Sequence, residues 1–469
     1  MSYALRVFAA IYGHRVIEDG LARPDVCLQY GKGGEDGGDT QSFRIPALYA
    51  ARPATAPTPQ LTQHVHAGET FHLFHGVERR SGNPDWLGEI FEWLSNSDER
   101  SIAARDSVGR IPYGETLFAK QGVSPMRPHG SLMMAWLEGC LEDGPHTQRL
   151  PGAPSPVPDT GHFVICSQDI DYYFTDRRAA ALRLMKNQAI ALLLARNLSF
   201  FASSTTQLLQ LLFGRRVGDF LPALMAAAER DNFRSSLFVI TRSRHRRDSN
   251  YALQQILPLL REASQRGFSI GLHGSYQSVV EDSDLVSEAY LLEKATAARP
   301  AGGRQHWLRF DSHEKLFQNV EQSGLLFDSS LGFSETVGFR SGISFAFPPY
   351  NFAKEEPYGF LEIPLVVMDT ALWQASRTTG ESPAQLAEQV LNQSRRWGWG
   401  GVSVLWHNPV EPLCVPREVN QAFWAQLGQR SISCEQWTSA QKFLCNALRR
   451  YHDAGLLKDA GSHAKSADC

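Results

Sequence analysis

Beyond residue 160 the chain alternates short apolar runs with longer segments of helical spacing. HFVICSQD (162–169), SSLFVIT (235–241), FSIGLHG (268–274), HWLRF (306–310), LLFDSSLG (325–332), FLEIPLVVMD (360–369) and GVSVLWHN (401–408) are such runs. Their pattern is that of strands buried on both faces. Between them, AAALRLMKNQAIALLLARN (179–197), ALQQILPLLREASQRG (252–267) and HEKLFQNVEQSG (313–324) read as helices, the second closed by Gly267. Strands alternating with helices predict a parallel sheet, open or closed into a barrel.

Upstream the pattern is mixed. GETFHLFHGV (68–77) reads as a strand and DWLGEIFEWLSNSDE (85–99) as an amphipathic helix. PHTQRLPGAPSPVPDT (145–160) holds five prolines and no apolar period, so a linker is expected there. The expected organisation is an accessory α+β domain over 1–150, a Pro-rich linker over 151–160, an α/β domain over 161–450 and a tail over 451–469. A length of 469 residues fits more than one core.

Charge narrows the partners. A net charge of −3 and a pI near 6.6 leave no basic footprint for nucleic acid. RSRHRRD (242–248) is a local basic run, read as a solvated loop or an anion-attracting rim. The seven cysteines include no C-x-x-C pair, so no zinc knuckle or disulfide framework is expected. MSYALRVFAAIYGHR lacks the layout of a signal peptide. QAIALLLARNLSFFA (188–202) is too short and too polar to span a bilayer and reads as a buried helix. A cytoplasmic address is expected.

Strand ends carry the candidate chemistry, because α/β folds collect functional groups at the C-terminal edge of the sheet. The runs end at Asp169 and Asp171, at His273, at Arg309 after His306, at Asp328 and at His407. Taken singly, each has a structural explanation, such as a capped turn or a hydrogen-bonded histidine. Together they suit a divalent ion, a carboxylate base, a guanidinium that keeps the base ionised and an imidazole acid. D-x-D spacing in an extended segment points both carboxylates to one side.

The order of these segments resembles the polysaccharide deacetylase (NodB-homology) family of carbohydrate esterases, over roughly 160–410. SQDIDYY is similar to the family's first motif, GLHGSY to the second, LRFD to the Arg motif, LFDSSLGFSETVGFRSG to a segment common in bacterial members and VSVLWHN to the last motif. The resemblance implies a distorted (β/α) barrel of about seven strands, and a metal-dependent hydrolase that removes an N-acyl group from a carbohydrate such as a bacterial surface-glycan precursor. It implies Asp169 as base, His407 as acid and Arg309 as the partner of Asp169. Asp171 and His273 would hold the metal, most readily zinc, with cobalt, nickel or manganese as alternatives. Residues 106–139 are similar to a segment that precedes the catalytic domain in one bacterial branch.

One position departs from the pattern: Gln277 stands where the second motif calls for another histidine. His306 is expected to serve as third ligand. A regular strand would point His306 and Arg309 to opposite faces, so a bulge or an early strand end is required. Tyr172, Ser275, Tyr276, Asp328 and Arg340 are candidate substrate contacts, Asp369 a candidate partner of His407, and Trp397, Trp399 and Trp406 candidate cleft walls. Two other readings stay open: a metal-free carbohydrate-binding protein, and a glycoside hydrolase with Asp328 as second carboxylate.

Overall fold

The apolar runs pair side by side. In this computed structural model, residues 2–12, 26–30, 41–45, 60–66, 69–76, 84–142, 164–173, 177–195, 198–214, 220–230, 234–278, 284–397, 401–407, 447–449 and 451–457 are described. Eight strands form one all-parallel sheet: β1 Val164–Ile170, β2 Ser236–Val239, β3 Ser269–Gly274, β4 Gly302–Gln305, β5 Phe327–Asp328, β6 Leu361–Glu362, β7 Leu365–Met368 and β8 Val402–His407. Their spatial order is β6-β5-β4-β3-β2-β1-β8-β7. Even-numbered residues of β1, such as Val164 and Cys166, join Val239, Val404 and the helices in an outer core. Odd-numbered Ser167 and Asp169 face inward, toward the Arg304 side chain.

The edges of this sheet are consecutive in sequence. Glu362 of β6 pairs with Asp328 and Leu365 of β7 pairs with Ser403, so both edges are joined through Ile363 and Pro364. Three residue steps reach at most about 11 Å, which forces the sheet to curl until its ends meet. The run FLEIPLVVMD is thus one bent strand: Pro364 has no N–H for a ladder, and its carbonyl accepts from Ser403 N at 2.8 Å. The result is a distorted (β/α) barrel, and counting the bent strand once gives seven staves.

Two elements differ from the sequence reading. HWLRF is not a strand. The fourth strand ends at Gln305, and His306–Leu308 forms a 3₁₀ turn in which Trp307 and Leu308 have φ of 66° and 51°. The stretch around QAIALLLARNLSFFA is not a buried helix. It belongs to a helical pair, Arg177–Ile190 and Leu198–Leu212, in which Leu198 and, in the π turn Ala191–Ala195 that extends the first helix, Leu193 are exposed. No helix among the described residues is long and apolar enough to cross a membrane.

The N-terminal region shares its core with the barrel. Helix Trp86–Ser95, capped by Asp85, is buried along its whole length; its Ile90 and Phe91 lie in one apolar cluster with Ile165, Phe327, Phe345 and Leu361. Helix Ser2–Tyr12 joins the same cluster, and Tyr3 Oη donates to Pro348 O at 2.6 Å. Of the expected tail, 451–457 is described, with Tyr451 and Leu457 buried there. The Pro-rich segment 151–160 lies outside the described residues.

A buried ion pair locks the two parts. Arg340 reaches both oxygens of Glu99, with its Nη2 2.7 Å from Oε2, and Nη1 donates to Gly332 O. His313 Nε2 is 3.3 Å from Glu99 Oε2. Burial alone would raise the Glu99 carboxyl, but Arg340 and His313 hold it below its ordinary value. Residues 105–110 then run over the loops that follow β2, β3 and β4. Arg247 Nη2 donates to Ser107 O and Tyr276 Oη to Val108 O, both at 3.1 Å. Gly109, at φ 89°, lies so close to Arg309 that an added Cβ would come within 2.7 Å of its Nε.

Stranding a buried carboxylate costs about 3–5 kcal/mol. Arg340→Met is therefore expected to destabilise the protein by that amount in urea unfolding at pH 7. Because the folded pKa of Glu99 is depressed, its contribution is full at neutral pH and fades as pH falls through that value. The wild-type advantage over the variant should shrink in acid.

Candidate active site

The last residues of β1 carry the centre. Asp169 and Asp171 are two apart on an extended segment, so both carboxylates face the barrel axis. Asp171 Oδ1 lies 3.4 Å from His273 Nε2 and 3.5 Å from His306 Nε2. Asp171, His273 and His306 are buried, and each offers a ligand atom within 4.8 Å of the others. Asp171 Oδ1 and His273 Nε2 have no hydrogen-bond partner. Two orphaned buried polar atoms facing one another are costly unless something sits between them. A divalent ion with bonds of about 2.0–2.1 Å sets neighbouring donors about 3.3 Å apart, and one carboxylate with two imidazoles suits it. The residues therefore fit a metal ion.

The imidazoles are oriented from behind. His273 Nδ1 donates to the Arg304 carbonyl at 2.9 Å, which leaves the Nε2 lone pair toward Asp169 and Asp171. His306 Nδ1 is 3.8 Å from Asp248 Oδ1. That carboxylate is itself fixed by backbone N–H groups: Oδ1 accepts from Tyr276 N, and Oδ2 from Arg244 N and His245 N. Burial would raise the Asp248 carboxyl, but His306 and those N–H groups hold it low. With Gln277 in place of a second motif histidine, the second imidazole of the group is His306, from the early end of β4.

The second carboxylate is held differently. Asp169 Oδ1 accepts from Arg304 Nη1 at 3.0 Å, and Oδ2 lies 3.5 Å from His273 Nε2, on the side of the candidate metal group. Arg304 is fully buried, and its five N–H groups meet Ser329 O, Ser167 Oγ, Asp169 Oδ1, Ser329 Oγ and Ser403 Oγ. The guanidinium on Asp169 is therefore Arg304, not Arg309 as expected. Arg309 donates to Tyr276 O and lies 4.3 Å from the centre of its ring. Ending the strand at Gln305 also removes the need for a bulge, since Arg304 and His306 are two apart.

Across the site stands His407, at the end of β8. Its Nδ1 donates to Asp369 Oδ1 at 2.6 Å, its backbone N–H to Asp369 Oδ2 at 2.9 Å, and its Nε2 is 3.8 Å from Asp171 Oδ2. Burial alone would lower its pKa; Asp369, with Asp171 and Asp169, pushes it up to about 10. Burial likewise opposes the charge of Asp171, but His306, His273 and His407 hold its carboxyl well below the usual range. His273 is raised despite burial by Asp169 and Asp171, and the field that favours a proton there also favours a cation.

Other candidates lie elsewhere. Asp328 is fully buried against Glu362, with its oxygens accepting from Ser330 N and Oγ, and burial raises its carboxyl to about 6. Its carboxyl is taken up by Ser330 and Glu362 and is not a member of the group around Asp171. Arg340 is committed to Glu99. Ser275 is buried and gives its N–H and hydroxyl to Glu288. Tyr276 is half-buried, stacked on His245 and bonded to Arg247. Tyr172 is half-buried at the rim, 4.3 Å beneath Arg183. Trp406 is in the outer core, Trp397 packs on the cluster shared with the N-terminal region, and Trp399 lies outside the described residues. Sequence reasoning missed Arg304, which follows two glycines, and Asp248, which closes a run of cations.

No protein-family model matches the chain, nor does any curated protein sequence. Solved structures overlap with it partially. A Mycobacterium smegmatis protein assigned to the polysaccharide deacetylases is 18% identical, covering 59% of this chain and 88% of that one with a TM-score of 0.33. The Puue allantoinase is 12% identical, covering 69% and 99% with a TM-score of 0.35. A family 4 carbohydrate esterase from Streptomyces lividans, in complex with acetate, is 12% identical, covering 57% and 86% with a TM-score of 0.27. Identities and TM-scores this low assign no activity.

The geometry makes metal binding separable by residue. His306→Ala is expected to lose divalent ion at least about 100-fold in affinity, and Asp248→Asn about 10–100-fold. Gln277→Ala should leave it unchanged. Equilibrium dialysis with elemental analysis checks all three.

Proposed function

We propose that the chain is a divalent-metal-dependent hydrolase that removes an N-acyl group, acetyl in the simplest case, from an amino sugar of a glycan. The observation that carries this reading is one buried group, Asp171 with His273 and His306, beside a second carboxylate, Asp169, whose free oxygen faces it. Support for an acylated carbohydrate comes from the order of the motifs along the sequence. Zinc suits the donor set best.

A divalent ion held by Asp171, His273 and His306 would polarise the acyl carbonyl and acidify a water. The chain's own groups then divide the proton work. Asp169 Oδ2 accepts the proton of the attacking water, while Arg304 keeps Oδ1 fixed and the carboxylate aligned. His407, protonated at neutral pH because of Asp369, delivers a proton to the departing amine. Both groups return to their starting state once the proton passes from Asp169 back to His407 through solvent.

Asp169→Asn is expected to lower acetate release from N-acetylated chito-oligosaccharides about 10²–10⁴-fold while the protein keeps its metal. Full activity in that variant would remove Asp169 from the mechanism. Arg304→Lys should lower turnover far more than Arg309→Lys. Asp369→Asn takes away the charge that raises His407, so the alkaline limb of the kcat/KM profile should move to lower pH by about one unit or more.

A further inference from the structure

A helical hairpin stands at the mouth of the barrel with its apolar side outward. Its first helix, Arg177–Ile190, runs on through a π-helical turn, Ala191–Ala195, and Leu198–Leu212 returns. Gln188 bonds Thr205 at 2.8 Å, and Arg177 bonds the Leu211 carbonyl, so the two helices are antiparallel. The hairpin keeps a small core of its own, apart from the outer core of the barrel. The helix that covers the barrel between β1 and β2 is Phe220–Arg230, which buries Leu221 and Met225 in the outer core. The hairpin leaves the chain just after Asp171, and Arg183 lies over the Tyr172 ring at that rim.

Its own core is thin: Ala180, Leu184 and Leu211 are buried, with Ala181 and Leu208 packed on them. The outward faces are apolar at helical spacing. Leu182, Met185 and Leu193 line the first helix and its π turn, while Leu198, Leu209 and Leu212 line the second. Phe213, just beyond, is 82% exposed. Of eleven exposed large apolar residues among the described ones, eight fall between 182 and 213. A water-facing helix normally shows the reverse pattern, and a patch of this kind marks a surface that meets something.

Charge says what it meets. Residues 177–216 contain seven Arg or Lys and no Asp or Glu, in a chain whose net charge is −3. Of these, Arg177, Arg178 and Lys186 are exposed, and Arg178 and Lys186 stand one turn on either side of the exposed Leu182. An apolar face whose only charged neighbours along the segment are cations suits the interface of an anionic bilayer. A second copy of the same hairpin would bring like charges together instead. We infer that the hairpin 177–213 docks on an anionic lipid surface and so presents the barrel mouth to it. This holds whatever reaction the barrel performs.

Vesicle co-sedimentation of the full chain tests it. Binding to phosphatidylglycerol vesicles is expected to exceed binding to phosphatidylcholine vesicles at least tenfold, and to weaken at about 1 M salt, where the screening length falls to about 3 Å. Leu193→Glu with Leu212→Glu and Phe213→Glu should reduce binding at least tenfold. Arg178→Glu with Lys186→Glu should remove the preference for anionic lipid. All five positions are exposed, so unchanged melting curves verify that the variants fold. Equal or absent binding to the two lipids overturns the inference. So does a dimer in sedimentation velocity that the apolar substitutions dissolve while vesicles are ignored.

Discussion

A single guanidinium inside the barrel sets the geometry on which the site depends. Arg304 is fully buried, and a buried charge is tolerated only when its donors are all met. Five acceptors from β1, β8 and the turn after β5 meet five N–H groups, so the barrel interior is pinned at three places by one side chain from β4. The same residue fixes both halves of the candidate site: its side chain holds Asp169, and its carbonyl holds the His273 ring. Two residues further on, the early end of β4 turns His306 toward Asp171.

Much of this was legible in the sequence. Asp169, Asp171, His273 and His407 each close or terminate an apolar run, so the periodicity that located the strands also located the groups at their ends. Arg304 was not, because its strand is GGRQ and has neither bulk nor alternation. Those glycines answer to neighbours remote in sequence: a Cβ on Gly302 would come 2.3 Å from the Phe327 ring, and one on Gly303 2.6 Å from Leu272 O. HWLRF looked like a strand because three apolar residues sit close together, and only the left-handed backbone at Trp307 and Leu308 undoes it. For the hairpin, spacing located the first helix but ran a helix through 188–202, where the structure has a π turn and then a second helix from Leu198, and a period cannot say whether an apolar face looks inward or outward.

The N-terminal region takes part in the rim of the candidate site. Its residues 105–110 lie over the loops after β2, β3 and β4, held by Arg247 and Tyr276. Tyr276 also gives its backbone N–H to Asp248, the carboxylate behind His306. The contacts that seat the N-terminal chain and those that orient a candidate ligand thus pass through one residue, the first by its hydroxyl and the second by its backbone N–H, while Arg340 and Glu99 anchor the same segment nearby.

The bent strand at Pro364 has a consequence for the order of assembly. β8 slots between β7 and β1, pairing Val402 with Val164 across most of the barrel's sequence. Until that last strand emerges from the ribosome, β1 is an open edge with unsatisfied backbone groups, and Asp169 and Asp171 lack the wall that carries His407. Non-local pairing of this kind is slow. A nascent chain therefore waits with one edge of β1 open, and closure of the sheet and the arrival of His407 opposite Asp171 are one event.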